Sequence, residues 1–475
     1  MTINAVFHPD QKPDQKPAPA SARTWLGLGV LALPTALLGL DVTLLYLALP
    51  ALAADLQPTS TQALWIMDVY GFMIAGFLIT MGALGDRIGR RKLLMIGAVA
   101  FAAASVLAAC STSAEMLIFA RAALGVAGAT LMPSTLALIS NMFAVPAQRA
   151  LAIGIWATMF ALGMAAGPLV GGLLLTQFWW GSAFLVALPV VGVLLVAGPC
   201  LLPEYRDPSG GRLDLFSVAL SLLAILPGIY ALKEVAKHGI NLPSILALVA
   251  SAVLAVAFVR RQLTLRHPLL DVRLFSNRAF TVALIILLFG LVSVGGTMLL
   301  VTQYLQLVAG YSPLVAGIWM GPPALMMFAA GIAAPLLARK LRAGFVVGGA
   351  LALSAIGYLL LTMIGPVSGV GLLIAGFSLA YLGLGTIAAL GTDLVVGAAP
   401  AAKAGSASAM SEMVQELGIA LGVAVLGSLT TFIYRREIPD TLSPFPHADA
   451  VSDSLAAAYS IRHALPVGVL EQARA

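Results

Sequence analysis

Residues 82–92, GALGDRIGRRK, place four basic residues and one acid in a single short segment between two long apolar runs. Each run is about as long as the ~20 residues a helix needs to cross the ~30 Å hydrocarbon layer. The segment therefore reads as a tight turn between two membrane helices. Gly82 and Gly85 let those helices come close, and Gly89 permits an abrupt reversal. Asp86 is expected near the start of the following helix, where the positive end of the helix dipole and Arg87, Arg90 and Arg91 would hold it. A plainer reading leaves a basic turn that only fixes how the chain threads the bilayer.

The same pattern extends along the chain. Sixty per cent of the 475 residues are hydrophobic and 10% are charged, the mean hydropathy is +1.00, and a soluble globule carries about 25% charged residues. Thirteen spans are expected, at about 25–52, 63–84, 93–110, 114–140, 150–175, 182–202, 213–232, 242–259, 280–305, 314–337, 344–364, 370–395 and 406–433. No room is left for a separate soluble domain. Residues 1–24 are polar and rich in Pro and Lys and read as a disordered cytoplasmic tail, not a signal peptide. Cys110 and Cys200 lie far apart in apolar segments and support neither a disulfide framework nor a metal motif.

Most of the 26 Lys and Arg fall on one side of the membrane if the N-terminus is cytoplasmic, and the opposite loops before residue 434 hold only Lys233 and Lys237. That is the positive-inside bias. The net charge of +6 thus sets orientation and implies no nucleic acid. Residues 434–475 are mostly polar with no further spanning run, which an odd helix count would leave outside a cell membrane.

Charged groups inside the spans carry the chemistry. Asp41 lies in LGLDVTLLYLALP, residues 38–50, and a charge near the bilayer centre costs at least ~2.5–3.5 kcal/mol. It should be protonated part of the time, or face Arg121 or a wet cavity. Desolvation makes a carboxyl hold its proton more tightly, so such a group can exchange a proton for a cation; packing alone is the plainer role. Arg121, in IFARAALGVAGA (118–129), either snorkels to the surface or pairs with an acid. Asp68 is expected about 8 Å inside the outer end of the second helix, where water contact is the alternative. Glu412 and Glu416, four residues apart, share a helix face, either towards the centre or in a polar seam against the twelfth helix. No histidine falls inside a span, and no GxxxxGK[ST] phosphate loop is present, so ATP hydrolysis and other enzyme chemistry are disfavoured.

The fifth span, GIWATMFALGMAAGPLVGG (154–172), carries Gly154, Gly163, Gly167, Pro168, Gly171 and Gly172. Gly163, Gly167 and Gly171 make a side-chain-free groove for a neighbour, and Pro168 loosens the hydrogen-bond ladder beside it. Generic small-residue packing is the alternative. With the 82–92 loop and Arg121 followed by Gly125, this run matches the three best-known motifs of the major facilitator superfamily. The chain resembles, within it, the fourteen-helix drug:proton antiporters. WIMDVYGFMIAGF (65–77), PLLDVRLFSNRAF (268–280), GYSPLVAG (310–317) and QELGIALGVAVLG (415–427) are similar to the branch that exports quaternary ammonium compounds and methyl viologen.

The resemblance implies an all-α fold of two pseudo-symmetric bundles. The halves would be 25–203, with six helices, and 261–433, with five, separated by an inserted helix pair in 204–260 and followed by the 434–475 tail. The family's fourteenth helix lacks a counterpart here, and GIAAPLLARKLR (331–342), the second copy of the loop motif, has Pro335 where an acid is expected. The resemblance also implies roles in proton coupling or cation recognition for Asp41, Asp68, Glu412 and Glu416, and a conformational latch in the 82–92 loop. Trp319, Tyr304, Gln303, Gln415, Met410, Met413 and Phe160 are candidates for lining the cavity. The expected partners are small lipophilic cations, protons and the bilayer, with no metal and no cofactor beyond the proton gradient. A same-fold transporter of a metabolite and a transport-inactive sensor remain alternatives.

Overall fold

The computed structural model describes residues 19–206, 214–265, 268, 272–338, 340–364, 369–398, 404–437 and 455. Among these there is no strand, and thirteen long helices follow the thirteen apolar runs in order. They are α1 (Ala22–Leu56), α2 (Ser60–Ile88), α3 (Arg90–Ala109), α4 (Ala114–Met142), α5 (Pro146–Gln177), α6 (Ser182–Leu201), α7 (Leu215–His238), α8 (Leu242–Thr264), α9 (Arg278–Val308), α10 (Pro313–Ala338), α11 (Ala343–Thr362), α12 (Val370–Gly397) and α13 (Ala404–Glu437). Twelve are long and apolar enough to cross a membrane; the apolar part of α7, Phe216–Ala231, is shorter. Short polar caps start them. Thr59 and Gln62 close a capping box on α2, Asn241 and Ser244 one on α8, and Ser113 and Ser312 cap α4 and α10.

The helices pack as a repeated unit. α1 lies on α5, α2 on α4 and α3 on α4; in the same relation, α9 lies on α13, α10 on α12 and α11 on α12. Glycine sets the closest crossings. A Cβ at Gly163 would sit 2.0 Å from the Ala36 carbonyl oxygen, and one at Gly422 would sit 2.2 Å from that of Val292. The two sets of helices meet through α2 with α13, α5 with α10 and α1 with α9.

The pair α7–α8 pack on each other, and α7 also lies against α2 and α13. Arg261 of α8 donates from Nη2 and Nε to Asp214 at the start of α7, at 2.9 and 3.1 Å, and Ser217 donates to the same carboxylate at 2.5 Å. Hydrogen bonding from Arg261, reinforced by Ser217, holds the Asp214 carboxyl down at about 2. The outward face of α8, with Leu246, Leu248, Val249, Val253 and Val256, is exposed. That suits a helix surrounded by lipid.

Candidate functional site

Arg121 on α4 reaches Asp41 on α1, with Nη1 2.8 Å from Oδ2. Its approach depends on a small neighbour: a Cβ at Gly125 would lie 2.6 Å from the Tyr70 carbonyl oxygen, so only glycine lets α4 come this near α2. The Arg121 side chain is 2% exposed and that of Asp41 12%. Arg121 Nε also donates to the Ile66 carbonyl at 3.2 Å, and the guanidinium carbon lies 4.3 Å from the Tyr70 ring centroid. Arg121 therefore pairs inside the bundle and does not snorkel to its edge.

Three further acids close on this pair. Asp68, Glu412 and Glu416 are buried, and the Glu416 carbonyl lies against Gly71 of α2 where α13 crosses it. Glu416 is within electrostatic reach of both Glu412 and Asp41. Tyr46 on α1 is within reach of Asp68, Arg121 and Glu416, and Tyr70 within reach of Asp41 and Glu416. The structure thus draws Asp41, Asp68, Arg121, Glu412 and Glu416 into one region where α1, α2, α4 and α13 converge.

A small void, with room for about one water, adjoins it between the two sets of helices. Its walls are Val42, Thr43 and Tyr46 of α1, Met164 of α5, Leu291, Val294, Gly295 and Met298 of α9, Tyr381 and Leu384 of α12, and Ile419 of α13. The acids flank this space but do not line it. Nor do the seven side chains expected from the sequence. Trp319 is 36% exposed, and Met410 is fully buried. Gln415 turns towards α12, donating to Thr392 Oγ1 at 3.4 Å. The Phe160 backbone forms the α1–α5 crossing at Gly39, and Gln303, Tyr304 and Met413 lie elsewhere on their helices, away from the cavity wall. Membrane helices are apolar all round, so sequence alone does not mark the inward face.

The small-residue motif of α5 has two separate faces. Gly163, Gly167 and Gly171 receive Ala36, Leu40, Thr43 and Leu44 of α1. Pro168 lacks an N–H and leaves the Met164 carbonyl without its helical donor; Thr43 Oγ1 donates to that oxygen at 2.9 Å. Pro168 and Gly172 face α10: a Cβ at Gly317 would sit 2.3 Å from the Pro168 carbonyl oxygen, and one at Gly172 would sit 2.7 Å from Leu314 Cα. Followed back along α5, that second face reaches Thr158 and Gly154, which are exposed, and a Cβ at Gly154 would meet nothing within 4 Å. Helices α5 and α10 therefore touch towards the C-terminal end of α5.

The 82–92 segment differs from its expectation. α2 continues through Asp86 to Ile88, and Gly89 alone, at φ +112°, makes the turn into α3. Asp86 lies in the last turn of α2, because the helix runs longer than its apolar pattern; its side chain is outside the described residues, Arg87 is exposed, and Gly82 is half-buried against Pro133. The acid at the start of α3 is Glu204, from the segment after α6. Its carboxylate accepts the Arg91 N–H at 3.1 Å and lies 3.6 Å from Arg91 Nε. Arg90 N–H donates to the Tyr205 carbonyl at 2.9 Å, and a Cβ at Gly89 would strike Glu204 at 2.5 Å. Sequence reasoning missed Glu204 because an acid in a polar loop looks merely solvated. Among the described residues no cluster of His, Cys, Asp and Glu has the makings of a metal site.

Known proteins agree with this architecture. The chain is 42% identical over 452 residues to the multidrug efflux pump LfrA of Mycolicibacterium smegmatis, covering 95% of this chain and 90% of that protein. It is 35% identical over 461 residues to the methyl viologen resistance protein SmvA of Salmonella typhimurium, covering 94% and 90%. The crystal structure of a bacterial homologue of the human lysosomal transporter Spinster, inward-facing and unoccupied, superposes with a TM-score of 0.65 at 14% identity, over 96% of this chain and 92% of that one; at that identity the likeness concerns the fold alone. Residues 31–423 match the Major Facilitator Superfamily, and with its apolar helices packed in two repeated sets beside the α7–α8 pair the chain belongs to that superfamily of multi-pass membrane transporters.

Proposed function

We propose that the chain exports lipophilic cationic drugs from the cell in exchange for protons, by alternating access across the cytoplasmic membrane with its N-terminus inside. The observation that carries this reading is the meeting of Asp41 and Arg121 at 2.8 Å beside buried Asp68, Glu412 and Glu416. Four carboxyls share that region with one guanidinium, which Asp41 binds. They cannot all be ionised in a setting shielded from water, so protons or a cationic substrate must balance them. The names of the two relatives describe multidrug efflux and methyl viologen resistance.

The cycle follows from that balance. With the cytoplasmic end open, deprotonated acids receive the cation. Arg121 keeps the Ile66 carbonyl and the Tyr70 ring as partners when Asp41 turns to the substrate. After the halves rock, protons from outside reoccupy the carboxyls and the cation leaves. The proton gradient supplies the energy, without ATP or an organic cofactor.

Vesicles containing the purified chain test this. A pH gradient, acid on the side into which the chain exports, should drive ethidium uphill across the membrane, and Asp41→Asn should abolish that movement. Ethidium movement indifferent to the gradient, or competition by a neutral metabolite and not by cations, would overturn the proposal.

A further inference from the structure

We infer that Tyr70 of α2 is the positioning residue that decides how readily Asp41 parts from Arg121: its ring fixes the arginine, and its hydroxyl is a second donor for the carboxylate. This deepens the cation-export reading and rests on it. The ring comes first. The Arg121 guanidinium carbon lies 4.3 Å from the Tyr70 ring centroid and 6.0 Å from that of Phe184 on α6. Arg121 Nε donates to the Ile66 carbonyl at 3.2 Å, one turn before Tyr70 on the same helix. Nη1 is the atom that reaches Asp41, at 2.8 Å. Helix α2 thus holds the arginine by two contacts that do not involve Asp41, and the carboxylate can leave without releasing it.

The hydroxyl is placed for that departure. Tyr70 is 2% exposed. A Cβ at Gly128 of α4 would lie 3.5 Å from the Tyr70 hydroxyl oxygen and 3.4 Å from Cδ2 of Leu38, one turn before Asp41 on α1. The hydroxyl therefore enters the wedge between α1, α2 and α4, where Gly128 leaves it room. Among the described residues it completes no hydrogen bond, an uncommon and costly state for a buried phenol. Asp41 lies within its reach. A carboxylate that swings off Nη1 towards a cation finds this O–H as its replacement donor, and a hydrogen bond to an ionised acceptor is among the stronger ones.

Few other groups can set the proton balance of Asp41. Arg121 of α4, Tyr70 of α2 and Glu416 of α13 act on it directly, and Asp68, Tyr46 and Glu412 stand around them. The remaining helices packed on α1 bring no ionisable side chain to its level: none occurs in 150–177 of α5, 182–199 of α6, 279–303 of α9 or 313–338 of α10.

Equilibrium binding of tetraphenylphosphonium to the full purified chain, measured between pH 5 and 9, separates the two ends of the tyrosine. Wild-type binding should weaken on acidification. Tyr70→Phe keeps the ring and removes a hydroxyl that is unbonded in this structure, so it should fold with the wild-type unfolding temperature. Without that donor the ionised carboxylate is less favoured and protons compete at higher pH. The midpoint should move by about one unit towards alkaline pH, a ten-fold change in proton affinity, with binding at pH 9 within about two-fold of wild type. Tyr70→Leu should share that shift and also weaken binding at pH 9 about five-fold, because the freed guanidinium follows the carboxylate. A fold-stabilising role alone would lower the unfolding temperature and leave the midpoint in place. A midpoint in Tyr70→Phe that is unmoved or moves towards acid overturns the role of the hydroxyl, and a Tyr70→Leu profile equal to that of Tyr70→Phe overturns the role of the ring. Wild-type binding indifferent to pH overturns the export reading itself.

Discussion

Asp41 and Arg121 are 80 residues apart in the chain and 2.8 Å apart in the fold. Each is expensive in the bilayer without the other, since a charge there has no water to turn to. Removing one member of a buried pair costs ~3–5 kcal/mol, whereas removing both is often nearly neutral. Arg121→Met should therefore lower the thermal unfolding temperature in detergent sharply, and Arg121→Met combined with Asp41→Asn should restore most of the loss. A double variant no more stable than the single would contradict the pairing. The sequence offered this pair as one of several alternatives, because an arginine within an apolar run either reaches the surface or finds an acid.

At the scale of the helices, the glycine face of α5 was legible, since i, i+4 and i+8 place Gly163, Gly167 and Gly171 in one line, and α1 fills it. Its second face, Pro168 and Gly172 against Gly317 of α10, depended on tertiary placement that spacing does not encode. Glu204 at the start of α3 is a similar case, as an acid delivered from 113 residues away replaces the expected local one. The α7–α8 pair offers a test of where pH acts. Asp214 is held at about 2, below its ordinary value of 3.8, so its contribution to stability is fully present above pH ~4 and is lost as pH falls through about 2. Between pH 5 and 8 the Asp214–Arg261 contact does not change. Asp214→Asn should lower the unfolding temperature and leave the midpoint of the pH profile for cation transport in place; a shifted midpoint would mean that this contact takes part in coupling.

The whole molecule is two sets of helices that share a repeated packing plan and touch along α2–α13, α5–α10 and α1–α9. The acids and the cavity lie at that junction, so movement of one set against the other changes what surrounds them. The number and order of helices followed from hydropathy and loop charge, because lipid forces every backbone polar group into a helix. Which helix faces look inward did not follow, because lipid and core are equally apolar. The central claim is that cation and protons contend for the same carboxyls. It is tested most directly by adding tetraphenylphosphonium to the purified chain in weakly buffered detergent and recording pH. Binding should weaken as the solution is made acidic while each bound cation releases protons, and the release should vanish in Asp41→Asn combined with Glu412→Gln and Glu416→Gln. Binding that proceeds with no proton release, or release unchanged in that triple variant, would contradict it.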